Sequence, residues 1–261
     1  MGTPPDPSTL LQAAGELAAL TGRTALEQFR RDLIIETKSD GSPVTIADRE
    51  AERRARDWLA RRFPEDGVLG EEEGTTVGQS GRTWLLDPID GTKSFVRGVP
   101  LWGSLVALVE GDTVLAGAAA YPAVGEHLAA ARGAGCWHNG ARCRVSPHAG
   151  LAGATGLTSE VERFATPELR RAWDALAAAV TVTRTWGDCY GYLLVATGRA
   201  EFMVDVGLNS WDIACFAPII EEAGGQITDF EGRAYPPLEN AIATNAALAD
   251  LVRRIWSGTA R

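Results

Sequence analysis

The residues of this chain best suited to chemistry are carboxylates placed where apolar runs stop. In "WLLDPIDGTKSF" (84–95) the apolar stretch Trp84-Leu85-Leu86 ends at two aspartates, Asp87 and Asp90, followed by Gly91, Thr92 and Lys93. Pro88 fixes its own backbone and removes a donor, so the segment reads as a core strand with a sharp exit. That exit projects Asp87 outward and leaves Asp90 one turn further on. A short helix is predicted to start at Thr92, where unpaired N–H groups favour an anion. Two carboxylates this close repel unless one is protonated or a cation lies between them. Cation ligands and an anion cradle therefore stand together, and a metal-bound phosphate satisfies both. On this stretch alone a plainer reading stays open: an aspartate pair that caps the following helix.

More acids stand at element ends. Glu71 directly follows Gly70 in "GEEEG", Asp48 falls in the first turn of one predicted helix, and Asp212 in the first turn of another. Singly, Asp48 and Asp212 suit the positive end of a helix dipole, and Glu71 to Glu73 suit a solvated loop. Together they are hard oxygen donors with no His or Cys among them, a set that selects magnesium or manganese over zinc. His127, His138 and His148 have spacings that suit no helical metal site and read as surface or loop residues. Cys136, Cys143, Cys189 and Cys215 form no C-x-x-C pair. They read as reduced thiols, with a Cys136–Cys143 disulfide as the alternative.

The elements that must position these groups follow from periodicity and punctuation. Leu, Ala and Ile recur at helical spacing over 8–36, which predicts one long amphipathic helix. Gly41 and Pro43 break it. Thr45 then opens a charged helix to about Arg62, with Asp48 completing a capping box. Strands are predicted at "GVLG", at "RTWLLDPID" and successively from Leu101 to Val145, with Asn139-Gly140 as a hairpin turn. The second half alternates strands and helices. Among its helices are 167–179, "DCYGYLLVATG" and a single helix "SWDIACFAPIIEEAGG" that carries Asp212. A boundary near 147–153 divides an N-terminal α+β half (1–150) from a C-terminal α/β half (151–261).

The chain has 261 residues, enough for one large domain or two small packed ones. A hydrophobic content of 45% and a formal net charge of −9 describe a soluble globular protein that does not bind nucleic acid or anionic membranes nonspecifically. No apolar run approaches the ~18 residues of a membrane span, and residues 1–7 lack a signal-peptide pattern. A cytoplasmic location is expected.

Four segments in this order, "DGSPVTIAD" (40–48), "GEEEG", "WLLDPIDGTKSF" and "WDIACFAPIIEEAGG" (211–225), resemble the inositol monophosphatase family of magnesium-dependent phosphatases. The resemblance covers nearly the whole chain. It implies the layered αβαβα sandwich, an α+β fold, shared with fructose-1,6-bisphosphatase. It implies one metal on Glu71, Asp87 and the Ile89 carbonyl, and a second on Asp87, Asp90 and Asp212. Two or three Mg²⁺ ions are expected, with Mn²⁺ an acceptable substitute. Asp48 resembles an acid that hydrogen-bonds Thr92, so that Glu71, Thr92 and Asp48 activate the attacking water while the Gly91 and Thr92 amides hold phosphate oxygens. A homodimer is expected by the same analogy.

"FVRGVPLWGSLVAL" (95–108) and "WGDCYGYLLVATG" (186–198) are similar to the histidinol-phosphate phosphatases of that family. The expected reaction is hydrolysis of a small-molecule phosphate monoester, histidinol phosphate first. Asp205 is expected to pair with the substrate ammonium, with a plain strand end as the alternative, and Asp188 to contact its imidazole or to hold neighbouring elements, with a plain helix N-cap as the alternative. Arg97 is assigned a substrate or phosphate role, with a surface or intersubunit pairing as the alternative. An inositol or other polyol phosphate remains the competing substrate class. A catalytically silent scaffold is disfavoured, because a retired site has no reason to keep so many mutually repelling acids.

Overall fold

A computed structural model describes residues 6–38, 41–234 and 239–259. Residues 1–5 of the proline-rich tail, and Ser39 and Asp40 of the predicted break, lie outside the described residues. Helix α1 (Pro7–Leu26) starts where Asp6 accepts from the Thr9 amide and Pro7 needs no partner for its missing N–H. It ends ten residues short of the expected Glu36. Arg30 takes φ +60 and donates from Nε to the Gly98 carbonyl at 3.1 Å, turning the chain. Phe29 and Leu33 then pack with Phe95 and Trp102 rather than continuing the α1 face. Tertiary packing has overridden the periodicity.

Strands β1 (Glu36–Thr37) and β2 (Pro43–Val44) form a small antiparallel ribbon that leads into α2 (Ile46–Arg62). The predicted capping box is present, with Thr45 and Asp48 bonding reciprocally across the first turn. Next come β3 (Gly67–Gly70), β4 (Gly74–Thr76), β5 (Arg82–Asp90), α3 (Thr92–Phe95), β6 (Gly103–Glu110), β7 (Thr113–Tyr121), β8 (Glu126–Ala131), β9 (Gly135–His138) and β10 (Ala141–Arg142). The strands form one sheet in the order β10-β9-β8-β7-β6-β5-β3-β4.

The second sheet has the order β12-β11-β13-β15-β14. Its strands are β11 (Thr155–Leu157), β12 (Val182–Arg184), β13 (Phe202–Val206), β14 (Gly225–Thr228) and β15 (Asn240–Asn245). The helices among them are α4 (Pro167–Ala179), α5 (Cys189–Ala196), α6 (Ser210–Ile213), α7 (Phe216–Glu222) and α8 (Ala249–Trp256).

The period-2 alternation of the strands divides the core into layers. Ala116, Ala118 and Ala120 of β7 face Leu10, Ala14 and Leu17 of α1. Ala119 and Tyr121 face the opposite way, toward Leu193, Phe216 and Ile220 of α5 and α7. Those two helices also cover one side of the second sheet, while Trp173 of α4 and Val252 of α8 pack on its other side with Phe202 and Ile242. The result is the expected αβαβα sandwich.

The predicted helix "SWDIACFAPIIEEAGG" is two helices, α6 and α7, with Ala214 and Cys215 between them. Pro218 has no N–H to return to the Ala214 carbonyl, so an unbroken ladder cannot form there. At this joint Cys215 lies so close to β7 that a Cβ on Gly117 would stand 2.2 Å from its carbonyl oxygen. His127 and His138 lie half-buried on strands, where the sequence predicts surface or loop positions. All four cysteines are free, with the Cys136 and Cys143 sulfurs 3.2 Å apart across the β9–β10 turn. Among the described residues no helix is long and apolar enough to cross a membrane.

Candidate active site

The site grows from the C-terminal end of β5. Its pairing with β6 slips between Asp87 and Asp90, so the last residues of the strand bulge away from the ladder. The slip is held by side chains: the Ile89 amide donates to Asp87 Oδ1 at 3.0 Å, and the Ser104 hydroxyl to the Pro88 carbonyl at 2.5 Å. Gly91 follows at φ +84, a left-handed conformation that favours glycine. A side chain there would also crowd the Leu101 carbonyl at 3.1 Å and Asp188 Oδ2 at 3.3 Å. α3 then begins at Thr92, as its sequence predicts.

Asp212 reaches the same point from the other half of the chain. It is the third residue of α6 and accepts from the Asn209 amide at 2.8 Å, a capping box that aims its free edge at β5. Ligand oxygens of Asp87, Asp90 and Asp212 come within 4.8 Å of one another. Glu71, in the turn after β3, lines the same cleft, whereas Glu72 and Glu73 do not. Lys38, which sequence reasoning missed, bridges Glu71 and Glu72 at 2.7 and 2.6 Å. Burial opposes the Lys38 charge, yet hydrogen bonds to the two glutamates outweigh it and raise its pKa.

Electrostatics mark this cluster as short of positive charge. Burial first, then Glu71, Asp90 and Asp212, push Asp87 well above the usual carboxylate range. Asp90 is pushed up by burial and by the charges of Asp188 and Asp212. Asp212 is raised to about 6, chiefly by burial, although the Asn209 amide works against the shift. The donors are oxygen only and mutually repelling, so they fit a hard divalent cation, which relieves the repulsion that otherwise forces protonation.

Further along the cleft a relay joins three elements. The Ser159 hydroxyl accepts from the Asp188 amide at 2.8 Å and donates to Asp205 Oδ2 at 2.6 Å. Asp205 is buried and raised to about 7 by desolvation. Asp188 sits at the N-cap of α5 yet makes no side-chain cap bond, and its φ of +48 with ψ −151 is strained for a residue with a side chain. The plain helix-cap role for Asp188 is therefore not realised. Lys93 and Arg163 line this end, and both pair with Glu160, at 2.6 and 3.2 Å. The open cleft has a volume of about 210 Å³.

Two expectations fail here. Asp48 accepts from the Thr45 amide and hydroxyl at 2.8 and 2.7 Å, while the Thr92 hydroxyl donates to the Ile89 carbonyl at 2.9 Å. The Thr92–Asp48 bond is therefore not formed, because the single hydroxyl proton of Thr92 goes to the Ile89 carbonyl. Arg97 is exposed, donates to the Lys93 carbonyl at 3.2 Å and lines a separate groove with Ile35 and Val99. Sequence reasoning also missed Tyr192, Ser159 and Glu160 of the cleft. None of them carried a sequence signal of its own: even Tyr192 shares the helix "CYGYLLVA" with a second phenol, Tyr190.

A model of the inositol monophosphatase family matches residues 6–259. A histidinol-phosphatase of Chlorobaculum parvum is 42% identical over 252 residues, 95% of this chain and 97% of that protein. One from Mycobacterium tuberculosis is 42% identical, covering 85% and 87%. A Thermotoga maritima fructose-1,6-bisphosphatase/inositol-1-monophosphatase is 36% identical over 81% of each chain. Among solved structures, an inositol monophosphatase from Zymomonas mobilis superposes with a TM-score of 0.84 at 31% identity, over 96% of this chain and 98% of its own.

Proposed function

The chain belongs to the inositol monophosphatase family, and from that premise we propose that it is a magnesium-dependent phosphomonoesterase whose substrate is histidinol phosphate. The observation that carries the reading is the meeting of Asp87 and Asp90 from β5 with Asp212 from α6, within 4.8 Å, in a cleft also lined by Glu71. Glu71, Asp87 and the Ile89 carbonyl would hold one ion, and Asp87, Asp90 and Asp212 another. Two or three Mg²⁺ ions held there, or Mn²⁺ in their place, would supply positive charge toward the phosphate oxygens and would acidify a bound water toward neutral pH.

The chain's own groups do the rest. Gly91 and Thr92 present backbone amides to the phosphate. The Thr92 hydroxyl, aligned by its bond to the Ile89 carbonyl, keeps lone pairs for the incoming water, and Glu71 takes the proton. Asp48 acts indirectly, by fixing the start of α2. Asp205 and Asp188 make the far end of the cleft negative, which suits an ammonium and an imidazole. Arg97 lies outside this cleft and has no part in the reading.

Phosphate release in Mg²⁺ from histidinol phosphate, inositol 1-phosphate and a sugar phosphate tests the assignment. Histidinol phosphate is expected to be fastest by at least an order of magnitude. Comparable rates would instead establish a generalist polyol-phosphate phosphatase, the reading that the Thermotoga relative favours. No release from any ester would overturn the enzymatic reading.

The free cysteines suit a reducing cytoplasm. A homodimer is the assembly carried over from the family, and exposed Ile35 and Val99 beside one groove are apolar surface available to it. Sedimentation velocity would settle the state.

A further inference from the structure

Tyr192 is 2% exposed, and its hydroxyl has no hydrogen-bond partner among the described residues. A buried phenol without a partner is destabilising and uncommon in native proteins. Its ring is locked face to face on Phe216, with centroids 4.5 Å apart and planes 16° from parallel. Ring and partner both belong to the core between the two sheets. The residue nevertheless lines the cleft, and the charges acting on its hydroxyl come first from Asp205, then from Asp90 and Asp212. A rigid, buried hydroxyl without a partner thus belongs to a residue that lines the cleft, in the field of Asp205, Asp90 and Asp212.

We propose that the Tyr192 hydroxyl, together with the Asp205 carboxylate, holds the nitrogen-bearing organic part of the substrate, as a specificity-determining contact. The inference rests on the phosphatase reading and deepens it. The phenol oxygen lies in a negative field, and the basic groups at that end, Lys93 and Arg163, are already paired with Glu160. A ligand N–H that carries positive charge can donate to the phenol oxygen while the surrounding carboxylates stabilise it. A neutral polyol hydroxyl gains the hydrogen bond but not the charge term. Asp205 already accepts from Ser159 and from the Val206 amide, so it supplies charge while Tyr192 supplies an unused acceptor.

The test is Tyr192→Phe, which keeps the stack on Phe216 and deletes only the hydroxyl. Calorimetry with L-histidinol, the cation without its phosphate, reads binding independently of turnover. The variant is expected to bind L-histidinol at least fivefold more weakly, with Tm unchanged or slightly raised. KM for histidinol phosphate should rise by a similar factor at nearly constant kcat, and KM for inositol 1-phosphate should rise severalfold less, by the neutral hydrogen bond alone. Equal L-histidinol affinity in variant and wild type overturns the inference, as does wild-type protein that binds no L-histidinol. An equal loss on both esters assigns the hydroxyl to the phosphate end instead and also overturns it. Failure of the phosphatase reading looks different: no phosphate release by wild type from any ester, whatever L-histidinol binding shows.

Discussion

Asp90 joins the two halves of the site: it ends β5, accepts from the Cys189 amide of α5 at 2.5 Å and clusters with Asp212 of α6. Asp90→Asn keeps an acceptor for Cys189 and removes a buried charge that repels Asp188 and Asp212. Turnover is expected to fall by more than about 100-fold, beyond the usual cost of outer-shell changes. Tm should hold steady or rise by about 2–4 °C, the shift for roughly 1 kcal/mol in a domain of this size. Phosphate release and a thermal melt check both, and near-wild-type activity would remove Asp90 from the ion site. At the other end, Asp205→Ala is expected to raise KM for histidinol phosphate about tenfold more than for inositol 1-phosphate. A uniform loss on both esters would count against recognition of a cation. The acids were legible in the sequence because carboxylates at strand and helix ends are unusual enough to notice. Lys38 and Tyr192 were not, because what makes them significant is a neighbour brought in by tertiary packing: Glu71 for Lys38, and Asp205 for Tyr192.

Among the elements, α2 positions Glu71 without touching the cleft centre. Glu52, fully buried on α2, accepts from the Glu72 amide at 2.8 Å and the Glu73 amide at 3.0 Å, and so holds the turn that carries Glu71. Gly70 is required beside it, since a Cβ there would lie 2.1 Å from Glu52 Oε1. A carboxylate accepts on both oxygens; an amide accepts on one. Glu52→Gln therefore leaves one turn amide facing an NH₂ group. The expected cost is about 1–3 kcal/mol in urea denaturation, with a roughly 10–100-fold rise in the Mg²⁺ concentration for half-maximal rate. An unchanged Mg²⁺ requirement would show that the turn holds Glu71 without Glu52. Elements with strong local signals, such as the capped α2 and the strands around Asn139-Gly140, could be read from sequence. The end of α1 could not, because a left-handed Arg30 held by Gly98 is a long-range contact, and the α6–α7 break depended on one proline inside a helical pattern.

At the scale of the whole molecule, the acid cluster couples stability to both pH and cation. Asp212 at about 6 and Asp205 at about 7 have folded pKa values above the ~3.9 of an unfolded aspartate. Asp87 and Asp90 are shifted the same way. Between about pH 4 and pH 7 the folded chain holds protons that the unfolded chain has released, so these groups stabilise the fold fully at low pH and lose that contribution as pH rises. Glu126, Glu160 and Asp229, lowered by Arg or Lys partners that outweigh their burial, act in the opposite sense, but their contribution is lost only as pH falls below about 4–5. His127, depressed by burial, also gains stability on deprotonation, as a single group against several carboxylates. Chelated protein is therefore expected to melt at progressively lower temperature from pH 5 to pH 8. Mg²⁺ competes with protons for the same oxygens, so its stabilising effect should be small at pH 5 and several degrees at pH 8. Thermal melts with EDTA or with Mg²⁺ at both pH values measure the two curves, and Asp90→Asn should flatten the difference between them. A Mg²⁺ increment equal at pH 5 and pH 8 would mean that the ion binds elsewhere than among Asp87, Asp90 and Asp212.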